Sequence, residues 1–361
     1  MRIGFIISGT LDTLTGGYIY DRQLVDYLRQ NGHYVELIHL PGGDYFNRLL
    51  HSPRLVLSHA LDHLSLDILL QDELDHPSLI LINHKLKRRA GYPIISIVHN
   101  LRSCELRPAW QNQLYRCIEK QYLMSVDGFI FNSHTTRRAV EGLQGKPQTG
   151  IIALPCGNRL PADVTESDVQ ARARASGPLR ILFLGNLLRG KGLHILLDAV
   201  SALPENSYFL TVIGDSSMDK SYVGFIKNEI REKHLDDQVL LTGSINNYEL
   251  AVKLKENHVL AVPSYYEGFG IAFLEGMGFG LPSIGTTSGA AGEIITHGQN
   301  GFLIPAGDSQ ALSWYLNELN TDRHKLMLMG IHALQRFNSH PTWQMSCEKI
   351  LDFLLYFKPS S

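Results

Sequence analysis

The 361-residue sequence has little cysteine, no long apolar run and no excess of either charge, and each shortage removes a class of protein. The four cysteines, Cys104, Cys117, Cys156 and Cys347, are scattered without C-x-x-C spacing. That argues against zinc and against a disulfide framework, and a reducing cytoplasm is the expected compartment. No stretch approaches the roughly 20 apolar residues of a membrane span. The opening MRIGFIISGT stops being apolar at Ser8 and lacks a small-residue cleavage site, so it reads as a buried first strand and not as a signal peptide. Lysine and arginine total 33 against 35 acidic residues, a formal charge of −2, without the basic excess usual in nucleic-acid binding. A convincing D-x-D between strand ends is also missing, so no metal and no cofactor are expected.

What the sequence does contain is 44% hydrophobic and 19% charged residues in a chain long enough for two domains, each with its own core. Short apolar runs at 2–7, 33–40, 54–59, 93–99, 128–133 and 150–155 are separated by segments long enough for helices. In the first such segment Leu24, Tyr27 and Leu28 recur at helical spacing until Asn31-Gly32. This alternation predicts a mostly parallel sheet covered on both faces. Apolar runs then give way to NRLPADVTESDVQARARASGPLR, read as a linker, and the same grammar restarts at 180–185, 208–214, 238–243, 258–264, 281–286 and 301–305. The expected division is a Rossmann-like domain over 1–165, a second over 166–340, and a terminal helix over 341–361. That helix carries Trp343, Cys347, Ile350, Leu351, Leu354 and Phe357 on one apolar stripe. A basic cluster of Lys85, Lys87, Arg88 and Arg89 reads as a solvated helix end, or as a contact for an anionic membrane.

Two stretches of the second half carry the chemistry. In LFLGNLLRGKGLHILL, residues from Gly185 spell G-x-x-x-x-G-K, but Gly192 stands where a Walker A loop has the Ser or Thr that binds Mg²⁺. An ATPase is therefore disfavoured. A glycine-rich turn with Arg189 and Lys191 beside a positive helix end still suits a diphosphate, although in isolation it reads equally as a tight turn with solvated cations. In VPSYYEGFGIAFLEGMGFGLPSIGT, Glu267 ends a strand-loop segment and Gly268, Phe269, Gly270 and Ile271 open a helix bearing Glu275. The helix start is a second anion cradle, and the carboxylates suit sugar or ribose hydroxyls. Surface positions for both glutamates are the alternative, made less comfortable by glycines that cost a helix about 1 kcal/mol each unless a close contact needs them.

Together these motifs resemble the retaining glycosyltransferases of the GT4 family, glycosyltransferase group 1, almost end to end. The likeness rests on TGGYIYDRQLVDYLRQNGHYVELI, IVHN, GFIFNSHTTRRAV, LGNLLRGKGLHILLDA, the E-x₇-E pair Glu267 and Glu275, and SGAAGEIITHGQNGFLIPAGD. The resemblance implies an α/β GT-B fold, two doubly wound Rossmann-like domains facing across a cleft. It also implies an enzyme that moves a sugar from a nucleoside-diphosphate sugar, UDP- or GDP-linked, to an acceptor hydroxyl with retention at the anomeric carbon.

By the same resemblance Lys191, assisted by Arg189, binds the donor diphosphate, Glu267 holds donor sugar hydroxyls, and Glu275 holds the ribose. His99 lies beside the donor sugar, and Gly16 and Gly17 approach phosphate and acceptor. The expected acceptor is a carbohydrate, a lipid-linked or a small molecule; nucleic acid is not expected, and peripheral contact with the inner membrane face through the first domain stands as the alternative to a solvated basic helix end. Two positions depart from the family pattern. Asn186 stands where an arginine is usual, with Arg189 a candidate replacement, and Cys156 stands where Asn is common. The rival readings are another GT-B enzyme, such as an epimerase or a phosphorylase, and a catalytically silent nucleotide-sugar binding subunit.

Overall fold

The computed structural model describes residues 1–11, 15–40, 45–50, 61, 64–89 and 91–357. The chain divides into one unit of Met1–Pro155 with Trp343–Ser361, and another of Cys156–Thr342. The expected strand at 54–59 lies outside the described residues.

The first unit holds a six-stranded sheet of β1 (Arg2–Ser8), β2 (Tyr34–Leu40), β3 (Ile68–Asp72), β4 (Ile94–Val98), β5 (Gly128–Phe131) and β6 (Gly150–Ile152), in the order β2-β1-β3-β4-β5-β6. Every neighbouring pair is parallel. All residues of β3 and β4 are buried, the pattern of strands covered on both faces by crossover helices. β3 has no counterpart among the expected strands. Its ILLQD is a short apolar run that ends in the polar Gln71 and Asp72, both of which fold inward.

The second unit repeats the architecture with β7 (Leu179–Leu184), β8 (Tyr208–Ile213), β9 (Val239–Gly243), β10 (Val259–Ala261), β11 (Ser283–Thr286) and β12 (Gly301–Ile304). Its order is β12-β11-β10-β7-β8-β9, again parallel throughout. β7 and β10 are neighbours from which the chain proceeds in opposite directions across the sheet. In open α/β sheets a ligand crevice lies beyond the carboxyl ends of such strands.

Two details differ from the expected division. Residues read as linker contain a helix, Glu166–Arg174, started by a reciprocal capping box between Thr165 and Asp168. Val169 and Ala173 are buried, while Arg172 donates to the carbonyls of Phe279 and Gly280, each at 2.9 Å. Only two residues of this helix face inward, too few for its periodicity to stand out from a charged, Ala-rich stretch. It belongs to the second unit, so the chain passes between units at Pro155–Cys156 and not at 165–166.

The helix Trp343–Phe357 returns to the first unit, against the helix Gly16–Gln30. It buries Trp343, Ser346, Cys347, Ile350 and Leu354; Leu351 and Phe357 are half-buried. Ser346 Oγ donates to the Leu154 carbonyl at 2.7 Å, and the Trp343 ring meets Tyr20 edge-on with centroids 5.6 Å apart. Trp343→Ala should therefore destabilise the first unit by about 3–5 kcal/mol, the usual cost of removing a large buried aromatic. Urea unfolding followed by circular dichroism measures this, and a loss below about 1 kcal/mol would mean that the helix is not part of that core.

Candidate functional site

The sheet order of the second unit explains why two distant sequence motifs meet. The segment after β7 carries Asn186 to Gly192 and the segment after β10 carries Ser264 to Gly270, so adjacent strands deliver both loops to one edge. Lys191 ends a 3₁₀ turn, Arg189–Lys191, and its Nζ lies 2.6 Å from Glu267 Oε1. The same oxygen accepts the Ser264 hydroxyl at 2.6 Å. A third contact ties the loops themselves, since the Tyr265 N–H donates to the Gly190 carbonyl at 2.9 Å.

Glycines make these approaches possible at two points. Gly192 has φ +73°, and a Cβ there would stand 2.2 Å from the Pro263 carbonyl oxygen. A Walker-type serine is sterically excluded, so the residue is a hinge between the turn and the helix Leu193–Ser201 and not a lost hydroxyl. Gly289 has φ +83°, and a Cβ there would stand 2.2 Å from the Glu267 carbonyl oxygen. That oxygen accepts the Ala290 N–H at 2.8 Å, so the SGAAGE segment fixes the backbone of Glu267.

The helix Ile271–Gly278 begins behind Gly268 and Gly270, and Phe269 is buried with its ring 6.0 Å from that of His340. Glu275 is 4% exposed and is bonded by Nε of Arg159, whose Nη1 also donates to Asn247 Oδ1 at 2.6 Å. Burial pushes the Glu275 carboxyl above its ordinary range, and the Arg159 guanidinium pulls against that shift. Arg159 was not among the expected site residues. Nothing in its local sequence marks a partner that lies far along the chain.

Asn186 and Arg189 serve other contacts. Asn186 Oδ1 accepts the Asp215 N–H at 3.2 Å, and its amide faces Met218 Sδ at 3.4 Å. The Arg189 guanidinium lies over the rings of Tyr222 and Phe225, at 5.8 and 5.4 Å. Arg189 is turned to these rings and has no described contact with Lys191 or Glu267.

In the first unit, the carboxyl ends of β1, β3 and β4 gather Gly16, Gly17, Asp21, Asp72 and His99. Thr15 caps the helix Gly16–Gln30, and a Cβ on Gly17 would lie 3.2 Å from His99 Cδ2. His99 Nε2 is 2.9 Å from Asp21 Oδ1, with Asp21 fully buried and His99 6% exposed. The Asn132 amide holds the His99 carbonyl at 2.8 Å. Burial works against a charged imidazole, but Asp21, with Asp72 and Glu73 behind it, outweighs that and raises His99 to about 9.

Among the described residues two groups of side chains invite comparison with metal centres: Asp21, Asp72 and His99, and Glu73, His76 and Glu119, each with ligand-type atoms within 4.8 Å of one another. His76 has both nitrogens engaged, Nδ1 with the Glu73 carbonyl at 2.9 Å and Nε2 with the Tyr45 hydroxyl at 2.8 Å. In the first group His99 Nε2 is taken up by Asp21 Oδ1 at 2.9 Å, and in the second burial lowers His76 to about 4 and raises the Glu73 carboxyl.

Residues 164–336 match the model of the family described as Glycosyl transferases group 1. Amylovoran biosynthesis glycosyltransferase AmsK of Erwinia amylovora is 26% identical over 219 residues, covering 56% of this chain and 53% of that protein. O-antigen chain mannosyltransferase C of Escherichia coli is 29% identical over 237 residues, covering 62% and 59%. The matched stretch thus spans between half and three-fifths of these relatives' own length. Among solved structures, sucrose-phosphate synthase from Thermosynechococcus elongatus superposes with a TM-score of 0.83 at 20% identity over 98% of both chains. Anabaena Alr3699/HepE in complex with UDP-glucose gives 0.78 at 18% identity, covering 99% of this chain and 100% of that one. The fold is the two-domain α/β GT-B fold.

Arg159→Ala strands the buried Glu275 carboxylate, a loss that typically costs about 3–5 kcal/mol. Without the guanidinium, burial holds the folded pKa above the unfolded value of 4.5. The folded variant then keeps a proton that the unfolded chain releases, so its stability falls as pH rises from about 4.5 through the folded value. Urea unfolding should show a smaller deficit near pH 5 than near pH 8. Equal deficits would mean that the stranded group is not Glu275.

Proposed function

We propose that the protein transfers a sugar from a nucleoside-diphosphate sugar to an acceptor hydroxyl with retention at the anomeric carbon, as a metal-independent member of glycosyltransferase group 1. The observation that carries this reading is the Lys191–Glu267 pair, set beside two helix starts at the strand crossover of the second unit. Lys191 takes the donor diphosphate together with N–H groups at the starts of Leu193–Ser201 and Ile271–Gly278. Its ammonium then leaves Glu267, whose carboxylate turns to the hydroxyls of the sugar. Glu275, held by Arg159, accepts from the ribose, and His99 donates to the sugar.

In the reaction the bond from the anomeric carbon to the β-phosphate oxygen breaks, and a bond to the acceptor oxygen forms on the same face. The acceptor's proton departs on the released diphosphate. Negative charge grows on that phosphate as the bond breaks, where Lys191 and the helix N–H groups offset it. UDP and GDP are the candidate carriers; the Anabaena neighbour was solved with UDP-glucose. A silent binding subunit would keep the nucleotide site and lose turnover. An epimerase or phosphorylase would consume donor without an acceptor product.

The test joins binding to turnover. A matching donor at 100 times its dissociation constant stabilises the protein by about 2.7 kcal/mol, which thermal shift detects across a panel of UDP-, GDP- and ADP-sugars. Lys191→Ala should abolish that shift, keep the ligand-free melting temperature, and lower transfer on the order of 10² to 10³ fold. Undiminished turnover in a folded Lys191→Ala protein would overturn the reading.

For the first unit we infer peripheral contact with an anionic membrane surface. Among the described residues no helix is long and apolar enough to cross a membrane. Leu106 and Trp110 are 59% and 68% exposed, and Arg107 follows Leu106 in the chain. The helix Ala109–Leu123 packs on the helix His76–Arg89, which ends in Lys87, Arg88 and Arg89 beyond Lys85. Each cation near such a surface contributes about 1 kcal/mol. The protein should sediment with phosphatidylserine vesicles, release in high salt, and bind several-fold more weakly as Trp110→Ala. Equal sedimentation with neutral and anionic vesicles would exclude this contact.

A further inference from the structure

Asp21 sits in the first turns of the helix Gly16–Gln30, with no exposure, and only one of its oxygens is engaged, by His99 Nε2 at 2.9 Å. Oδ2 is enclosed and has no hydrogen-bond partner. A fully buried carboxylate with one partner depends on that partner for its neutralisation. The ring that supplies it is held from several sides: Tyr20 meets it edge-on at 5.2 Å, Gly17 leaves room for its Cδ2 edge, and Asn132 fixes its backbone carbonyl. Tyr20 is itself anchored by its hydroxyl on the Ala153 carbonyl at 2.9 Å. Among the described residues Nδ1 has no protein hydrogen bond, and it is not among the enclosed polar atoms.

We propose that Asp21 is a positioning residue which, by accepting Nε2–H, keeps His99 cationic and presents Nδ1–H as a fixed donor to an oxygen of the bound sugar. This rests on the transferase reading and deepens it. An imidazole that already carries both protons cannot accept one from the acceptor hydroxyl, so His99 acts as an electrostatic donor and not as a general base. Charge around the ring agrees. Asp21 faces it from the helix, Asp72 from the end of β3 and Glu73 from the turn that follows, all favouring the cation. Arg48, a cation that acts on Asp72, is engaged with Asp75.

The sign of the pH dependence follows. His99 is raised to about 9 from an ordinary 6.5, so the donor is present below that range and lost as pH rises through about 9. In Asp21→Asn the ring loses its hydrogen-bonded counter-charge, and burial draws it back toward the ordinary 6.5. At about pH 8 only about 3% of such rings are protonated, so transfer should fall about 30-fold relative to the parent, and near pH 6 the deficit should shrink to about 1.3-fold. A role in folding alone would lower activity at both pH values alike, and that outcome overturns the proposal.

A second measurement needs neither turnover nor the Asp21 variant. The histidine ring signals are followed by NMR against pH in the full chain, with His99→Gln identifying its resonance. Titration near 9 in the parent is the expected result, and titration near or below 6.5 overturns the proposal whether or not sugar transfer is found. Titration near 9 in a protein that transfers no sugar would leave the Asp21–His99 charge state standing and discard the transferase reading.

Discussion

A carboxylate removed from water gains from a cation within reach, and three such pairs among the described residues show how differently this protein supplies it. Asp21 is matched by His99, Glu267 by Lys191 and Glu275 by Arg159. The pairs are not equivalent. Glu275 and Asp21 are sealed with their partners, whereas the Lys191 side chain is 33% exposed. Breaking a sealed pair leaves an uncompensated buried charge, but an exposed lysine can exchange its carboxylate for a phosphate at modest cost. Burial thus separates one partly exposed pair from two that are enclosed.

The sheet topology makes such pairing possible. β7 and β10 are adjacent although about eighty residues separate Lys191 from Glu267 in the chain, because parallel strands are joined by crossovers that return over the sheet. The polar loops therefore collect at one edge, while strand interiors such as Phe183 and Leu260 supply the core. Gly192 and Gly289 let these loops come within backbone contact, and a side chain at either position would push the two motifs apart.

Most of this scaffold was legible in the sequence because buried parallel strands are written as unbroken apolar runs, as in RILFLG and PIISIV. β3 was missed because it ends in Gln71 and Asp72, polar residues that turn inward to their own partners. The helix Glu166–Arg174 was missed because it buries only Val169 and Ala173. Lys191, Glu267 and Glu275 were legible as motifs, yet their partners were less so. Arg159 could not be read locally, since its contact with Glu275 exists only through the fold. Asp21 did leave a signal: it stands three and seven residues before Leu24 and Leu28, on the apolar face of its helix, where a charge requires an explanation.

The returning helix Trp343–Phe357 has a consequence for biosynthesis. A ribosome delivers the strands of the first unit early, but the side chains that cover Tyr20 and the Gly16–Gln30 helix emerge only after the whole second unit has been made. The second unit is continuous and can close its core as it leaves the tunnel. The first must wait with an apolar face open, so its completion follows the making of the second unit and depends on the helix Trp343–Phe357 finding a surface made more than three hundred residues earlier.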